Sequence, residues 1–482
     1  QTKDHKPQTT NHKPQTMIVM KFGGTSVEDA ASVQRVVEII RARLELRPVV
    51  VVSAMGKTTR TLVAAAEASA NGDSGNALPL ITELKAAHEY EARGLVAGTA
   101  GGGVFKIIDQ YFDELRKLLE GLAILGDVPP RGLDKIMAYG ELLSSAILAA
   151  ALAERGIPSV LLDAREFIKT DDRYGCASPI FEATNARIEQ GVGPLIEQGR
   201  VPVIQGFIGS TRDGATTTLG FEGSDYTATI AGAALGCDDI QIWKDVSGLM
   251  TADPAVFPGA RTVRCCTFAE AGELTYFGAK VLHPKAIYPA AQKQIPVHIY
   301  NSRQPDAPGT AITKTAPASA NLIKSIAYKR PVTILKATAE HVIDGSRSTP
   351  DDFLRSVVDA MRRRRVQPLL TAVSALSVAA ALDTRAIRPA VERDLLEEIS
   401  GLGVASLESD RAIISLVGER LRSDNRIAGR IFNAIGETEL GVILHGSSPI
   451  AMNFVVAESE VERIIADLHK VFFETLDPQV FA

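Results

Sequence analysis

Cysteine, an excess of charge of one sign, and long apolar runs are what this sequence has little of. Its 482 residues include four cysteines, at positions 176, 237, 265 and 266, irregularly spaced and with no CxxC pair. A disulfide framework and a zinc site of that type are therefore excluded, and the usage fits a reducing cytoplasm. The 52 basic and 57 acidic residues leave a formal net charge of −5. No global basic field exists to attract nucleic acid or a membrane surface. No uninterrupted apolar run reaches the roughly 18 residues that a membrane helix needs. What is there, 45% hydrophobic and 23% charged residues over this length, suffices for two to four domains with a substantial core. Residues 1–16, QTKDHKPQTTNHKPQT, repeat HKPQT and lack an apolar centre, so they read as a disordered leader ahead of Met17 and not as a signal peptide.

From Met17 the pattern is regular. MIVMKFGG is an apolar strand ending in a glycine turn, and ASVQRVVEIIRARLE carries apolar residues at helical spacing. RPVVVVSAMG and the helical TLVAAAEASA repeat the plan, and IPSVLLDA, RVPVIQGFIG and DDIQIWKDV continue it. Strands alternating with helices predict an α/β layer structure with a mainly parallel sheet, whose ligands gather at the carboxyl ends of the strands. Near residue 301 the composition turns to Pro, Ala, Ser and Thr, which marks a boundary. Beyond it, two shorter segments share a strand, helix, strand, strand order and predict a structural duplication.

The glycine turns carry the chemistry. SAMGKTT ends like a phosphate-binding P-loop, but the first glycine of that motif would fall at Val51, which rejects it. KFGGTS places a lysine, two glycines and two hydroxyls at a strand end, a set suited to phosphate oxygens. TTTLGFEGSDYTA adds Asp225 at a helix start, and YFGAKVLHPKAI adds a second glycine-flanked lysine, Lys280. Two separated lysines with an aspartate beside a glycine turn are the parts that phosphoryl transfer uses. The run MRRRRV at 361–366 reads as a solvated helix end, not as a nucleic-acid patch.

KFGGTSV, the GFIGS…TTTLG…GSDYTA block, DVSGLMTADP and FGAKVLHP, in that order, resemble the aspartate kinases of the amino-acid kinase superfamily. The C-terminal segments, most clearly RAIISLVGERL and IAGRIFNAIGE, are similar to that family's tandem ACT domains. The resemblance implies a three-layer α/β/α amino-acid kinase domain over residues 17–315. Two α+β, ferredoxin-like ACT domains would follow at 320–400 and 401–482. It implies ATP-dependent phosphorylation of the side-chain carboxylate of L-aspartate, with Mg²⁺ bridging the phosphates, as the first step toward lysine, threonine and methionine. It also implies an amino-acid effector, lysine or threonine, at the ACT domains, and a homodimer or higher oligomer.

Residue by residue, the resemblance assigns catalytic roles to Lys21, Asp225 and Lys280, with Asp225 organising the two lysines. Gly23, Gly24, Lys244, Asp245, Gly248, Thr251, Asp253 and Lys280 fall to the nucleotide. Thr25, Ser53, Thr58, Glu141, Gly223 and Ser224 fall to the substrate, Glu141 as partner for an amino group. No protein-held metal site is expected. The substrate carboxylate, with a reference pKa of about 3.9, needs no general base, which is why cations and backbone N–H groups dominate these motifs.

The chain departs from the pattern at two places. Where the family reads GRGGSD, this sequence has GFEGSD, so Phe221 stands where an arginine would grip a substrate carboxylate and Glu222 where a glycine would stand. Another cation could serve, Arg212, Arg173 and Lys57 being candidates; affinity for aspartate could be weak; or the substrate could differ. The effector turn of the first ACT unit is replaced by HVIDGSRSTPDDFLRSVV. The ACT tail argues against kinases of glutamate, N-acetylglutamate or UMP. A catalytically reduced amino-acid sensor is the reading from another class, disfavoured by the three charged positions still in register.

Overall fold

The computed structural model describes residues 16–97, 99–220, 222–279, 282, 284–339, 350–419, 421–422 and 425–482. The chain packs as two units, residues 1–248 with 282–314, and residues 249–281 with 315–482.

The first unit is built on strands β1 (Ile18–Phe22), β2 (Pro48–Val52), β3 (Ser159–Leu162), β4 (Val201–Gln205), the hairpin strands β5 (Ile208–Ser210) and β6 (Thr216–Thr218), and β7 (Asp239–Lys244). After β8 (Cys265–Thr267), which lies in the second unit, the first unit gains β9 (Val297–Asn301) and β10 (Thr310–Thr313). Its main sheet runs β3, β4, β2, β1, β7, β9, β10, parallel except for β10. Every residue of β1 and β2 is buried, as expected of central strands covered by helices on both faces. Because β1, β2, β4 and β7 are parallel, their carboxyl ends open on one edge of the sheet, where the glycine turns lie.

The helix Pro130–Glu154 is apolar over nearly its whole surface and largely buried. Its composition is that of a core helix. Gly140 lets it press against the end of β2, since a Cβ there would come within 2.8 Å of the Ala54 Cβ. In the middle of a helix a glycine costs roughly 1 kcal/mol relative to alanine, and the close approach is what it provides here.

The second unit adds β11 (Ile323–Thr338), β12 (Pro368–Val373), β13 (Ser377–Asp383), β14 (Val404–Gly418), β15 (Val442–Leu444) and β16 (Ala451–Ala457), in one antiparallel sheet of order β12, β13, β11, β14, β16, β15. The expected end-to-end division at residues 400 and 401 is not how these strands pair. Ile323–Lys329 pairs with Ile413–Gly418, beside β16, whereas Val332–Thr338 pairs with β13 on one side and Val404–Arg411 on the other. Each long strand thus serves both halves, and the first half is inserted within the second. Pro331 sits where the ladder shifts between Lys329 and Val332, because proline has no N–H to donate.

The inserted half buries Leu335, Phe353, Val357, Met361, Leu395 and Ile399 in one core. Arg363 and Arg364 of the basic run both pair with Glu398. The effector turn of this half falls mostly at 340–349, outside the described residues. Within the expected catalytic span 17–315, Leu249–Val281 packs with the second unit.

Candidate active site

Lys21 stands on β1 between Val51 of β2 and Ile242 of β7, and 5% of it is exposed. Asp225 lies in the first turn of the helix Gly223–Leu235 and is fully buried. Lys21 Nζ is 2.6 Å from Asp225 Oδ1, and Lys244 Nζ, from the last residue of β7, is 3.0 Å from Asp225 Oδ2. Among the described residues it is Lys244, expected on the nucleotide side only, that shares Asp225 with Lys21. Lys280 lies outside the described residues, as does Phe221.

Burial is the largest influence on all three groups of this triad. It draws Lys21 below the usual lysine range although Asp225 opposes it, and the neighbouring Lys244 charge adds to the depression. Burial also opposes ionisation of Asp225, but the two lysines together outweigh it and hold the carboxyl below its ordinary value. Lys244 is raised because Asp225, Glu222 and Asp245 outweigh its desolvation. Among the described residues two lysines share the one carboxylate of Asp225 in direct contact, and Glu222, part-exposed at the helix start, adds its field to both lysines.

The backbone around the triad is tightly constrained. Gly23 donates its N–H to Trp243 O at 3.0 Å, tying the turn after β1 to β7. At Gly24 a Cβ would stand 2.8 Å from Ala54 O, so only glycine lets the turns after β1 and β2 touch. Thr25 lies in the short helical turn Gly24–Ser26, and Ser53 donates its N–H to Phe22 O. Glu222 precedes the helix with φ 58° and ψ 21°, the left-handed region that a glycine would occupy without strain. Gly223 donates to Gly220 O, and Ser224 is buried.

Glu141 is buried, accepts a hydrogen bond on Oε1 from Ala54 N–H at 3.1 Å, and has no partner for Oε2 among the described residues. Burial pushes its carboxyl up to about 8. A buried acid with a free oxygen is prepared to meet a cation. Thr58 turns inward instead, its hydroxyl donating to Met55 O at 2.7 Å. Asp245 is exposed, and Gly248 holds φ 105° at the end of the first unit.

Thr251 and Asp253, expected on the nucleotide side, both bond within the protein. The Thr251 side chain is fully buried and bonded to Arg261 N–H and His469 Nε2. Asp253 accepts from Ala255 N–H and the Tyr328 hydroxyl. Their polar groups are spent on holding the chain.

Of the cations offered in place of the missing arginine, Lys57 and Arg212 are exposed, and Arg173 pairs with Asp171 and Ser178. The turn bearing Arg173 is pinned by Asp134, which accepts from Gly175 N–H, Thr218 N–H and the Thr218 hydroxyl. Asp134 lies about two helical turns before Glu141 on the same helix. Sequence reasoning missed this aspartate, and its only signal was that spacing within LDKIMAYGE.

Residues 16–301 match the amino acid kinase family and residues 414–472 an ACT domain. Aspartokinase 1, chloroplastic, of Arabidopsis thaliana is 37% identical over 470 residues, which cover 95% of this chain and 80% of the relative. The chain belongs to the aspartokinase family. Lysine-sensitive aspartokinase 3 of Escherichia coli is 32% identical, covering 95% of this chain and 99% of its own. The crystal structure of E. coli aspartokinase III in complex with aspartate and ADP, an R-state, matches with a TM-score of 0.86 at 30% identity, over 95% of this chain and 100% of that one. The T-state complex of that enzyme with lysine and aspartate matches with a TM-score of 0.76. The amino-acid kinase fold with its mainly parallel sheet, and the antiparallel ACT sheet, are thus those of an aspartokinase.

Proposed function

We propose that this chain transfers the γ-phosphoryl group of ATP to the side-chain carboxylate of L-aspartate, giving 4-phospho-L-aspartate and ADP. The observation that carries this reading is the buried triad of Lys21, Asp225 and Lys244, in which one carboxylate holds two lysines that a phosphate could share. A carboxylate oxygen attacks the γ-phosphorus as the bond to the β-phosphate bridging oxygen breaks, and the electron pair leaves with ADP. Charge spreads over the transferring oxygens during that step, and preorganised ammonium groups stabilise it without reorganisation. Asp225 holds both lysines at fixed points, and the turn at Gly23 and Gly24 supplies close-lying backbone. Mg²⁺ bound to the phosphates would add charge neutralisation; it takes most of its ligands from phosphate and water, so it needs no all-protein cage.

Glu141 supports an amino-acid substrate, because an ammonium group would both satisfy Oε2 and restore the charge of its carboxyl. The aspartate and ADP in the E. coli structure support the choice of aspartate, and the lysine in its T-state partner supports lysine as effector. We place the chain in the cytoplasm on its four free cysteines, and as a homo-oligomer on its ACT sheet. The test is ADP release with Mg-ATP and L-aspartate, L-glutamate, N-acetyl-L-glutamate or UMP, each with and without lysine or threonine. Turnover on aspartate that lysine suppresses is the expected result. Silence on aspartate at every concentration would sink the reading.

A further inference from the structure

The motif DVSGLMTADP divides between the units, and its part from Leu249 onward packs with the second. The hydrogen bonds of that part go to ACT-side elements. Met250 O accepts from the Ser325 hydroxyl at 2.6 Å, Thr251 O from Ile326 N–H at 2.8 Å, and Asp253 from the Tyr328 hydroxyl at 3.3 Å. The glycine before Lys280 lies along the same stretch of β11, since a Cβ on Gly278 would overlap Tyr328 O at 2.1 Å. One further group reaches this stretch from the C-terminal helix Val461–Phe472, inside the matched ACT domain. His469 Nε2 is 2.9 Å from Thr251 Oγ1, and the ring is packed between Phe257 at 4.2 Å and Phe473 at 4.6 Å.

We propose that His469 is a positioning residue for the phosphate donor, holding the Thr251–Asp253 end of the nucleotide turn from the ACT side. The inference rests on the reading of Lys244–Asp253 as that turn. The Thr251 hydroxyl already accepts from Arg261 N–H at 2.9 Å, so the histidine completes a three-way junction between the turn, the following loop and the helix. A buried hydroxyl left without its partner would relax by shifting, and the backbone it anchors would shift with it. The ring lies tilted at 32° to both Phe257 and Phe473, and that packing limits its movement at the junction.

The test is steady-state kinetics on the full chain, separating kcat, KM for ATP and KM for aspartate. His469→Phe keeps an aromatic ring between Phe257 and Phe473 but removes the hydrogen bond, whereas His469→Gln keeps a bonding group. The expected result is that His469→Phe raises KM for ATP by about three- to tenfold, the range of one hydrogen bond, with kcat and KM for aspartate changed less than about twofold. His469→Gln should recover most of the loss. Thr251→Val, which deletes the other partner, should reproduce the effect if His469→Phe does not fold.

An unchanged KM for ATP in both deletion variants, with only a lower Tm, would overturn the proposal; so would a parallel rise in both KM values. Asp245→Ala, at an exposed position in the first-unit half of the turn, separates this from failure of the underlying reading. If it raises KM for ATP while His469→Phe does not, the positioning role alone fails. If neither raises it, the nucleotide reading of the segment fails and takes the proposal with it.

Discussion

Two buried charge clusters, one in each unit, use the same residue types in opposite proportion. In the first unit, Lys21 and Lys244 share the single carboxylate of Asp225. In the second, a fully buried Lys324 is shared by two carboxylates, with Glu270 at 3.0 Å and Glu419 at 2.9 Å. Desolvation works against the charge of Lys324, but the two glutamates outweigh it and hold the ammonium above its usual range. Glu270 Oε2 also accepts from Thr267 N–H and the Thr267 hydroxyl, so the cluster caps the helix Phe268–Tyr276 and ties it to β11 and β14. The second cluster surrounds its cation with acceptors inside the protein. In the first, two lysines share one carboxylate in direct contact, with the fields of Glu222 and Asp245 added, an unequal sharing that suits a place where an anion comes and goes. Buried charge is therefore a poor guide to function by itself, and its imbalance is the informative part.

Removing a lysine from each cluster tests that contrast most strongly. Lys21→Met should lower kcat by about 10²- to 10³-fold, as loss of one preorganised charge stabiliser does, while the variant remains folded in a urea titration. Lys324→Met should do the reverse. It leaves two carboxylates without their buried cation, so stability measured in urea should fall by about 3–5 kcal/mol, with kcat of the folded fraction within a few-fold of the parent. If Lys324→Met is as stable as the parent, the second cluster is not a clamp.

The next effect concerns the substrate end. Phe221→Arg restores a bidentate partner for a carboxylate and should lower KM for aspartate about tenfold, the range of a charge-assisted pair, leaving KM for ATP unchanged. An unchanged KM for aspartate would show that another cation already fills that role.

Glu141 gives the comparison a pH axis. Its carboxyl is held at about 8 by burial, against a usual 4.5, so it is neutral in the unliganded protein at pH 7. With the folded value above the unfolded one, the folded state holds the extra proton between those limits. Stability from this group is present below about 4.5 and is lost as pH rises toward 8. A substrate ammonium beside Oε2 favours the ionised form, so aspartate binding at pH 7 should release close to one proton. Calorimetry in buffers of different ionisation enthalpy measures this, and a buffer-independent heat would remove Glu141 from the substrate side. The smallest effect is conformational: Glu222→Gly relieves a left-handed φ and should raise stability by up to about 1 kcal/mol in urea.

The strand and helix plan of the first unit was legible because its strands are continuous apolar runs bounded by glycine turns. β1 and β2 lie where MIVMKF and RPVVVV placed them. That Lys21 and Asp225 meet was legible through KFGGTS and GSD, which the family resemblance set in one site. The pairing of Asp225 with Lys244 was not, because it depends on β7 lying next to β1, a neighbour relation across more than two hundred residues. The internal bonds of Thr251 and Asp253 were hidden for a related reason: a motif shows which residues travel together, not which way a hydroxyl turns. The interleaving of the ACT halves was hidden because IKSIAYKRPVTILKAT is one unbroken strand pattern, and only Pro331 hints that its ladder changes partners there.

By itself the sequence determined the α/β class, the glycine turns, the family and the residue types available for phosphoryl transfer, since these follow from local periodicity and from short motifs. Only the tertiary structure decided that Lys244 joins Lys21 on Asp225 and that Thr251 and Asp253 bond to ACT-side residues. Hydrogen bonds and ion pairs form between groups that folding brings within about 3 Å, and that distance is a property of the packed sheet order, not of separation along the chain.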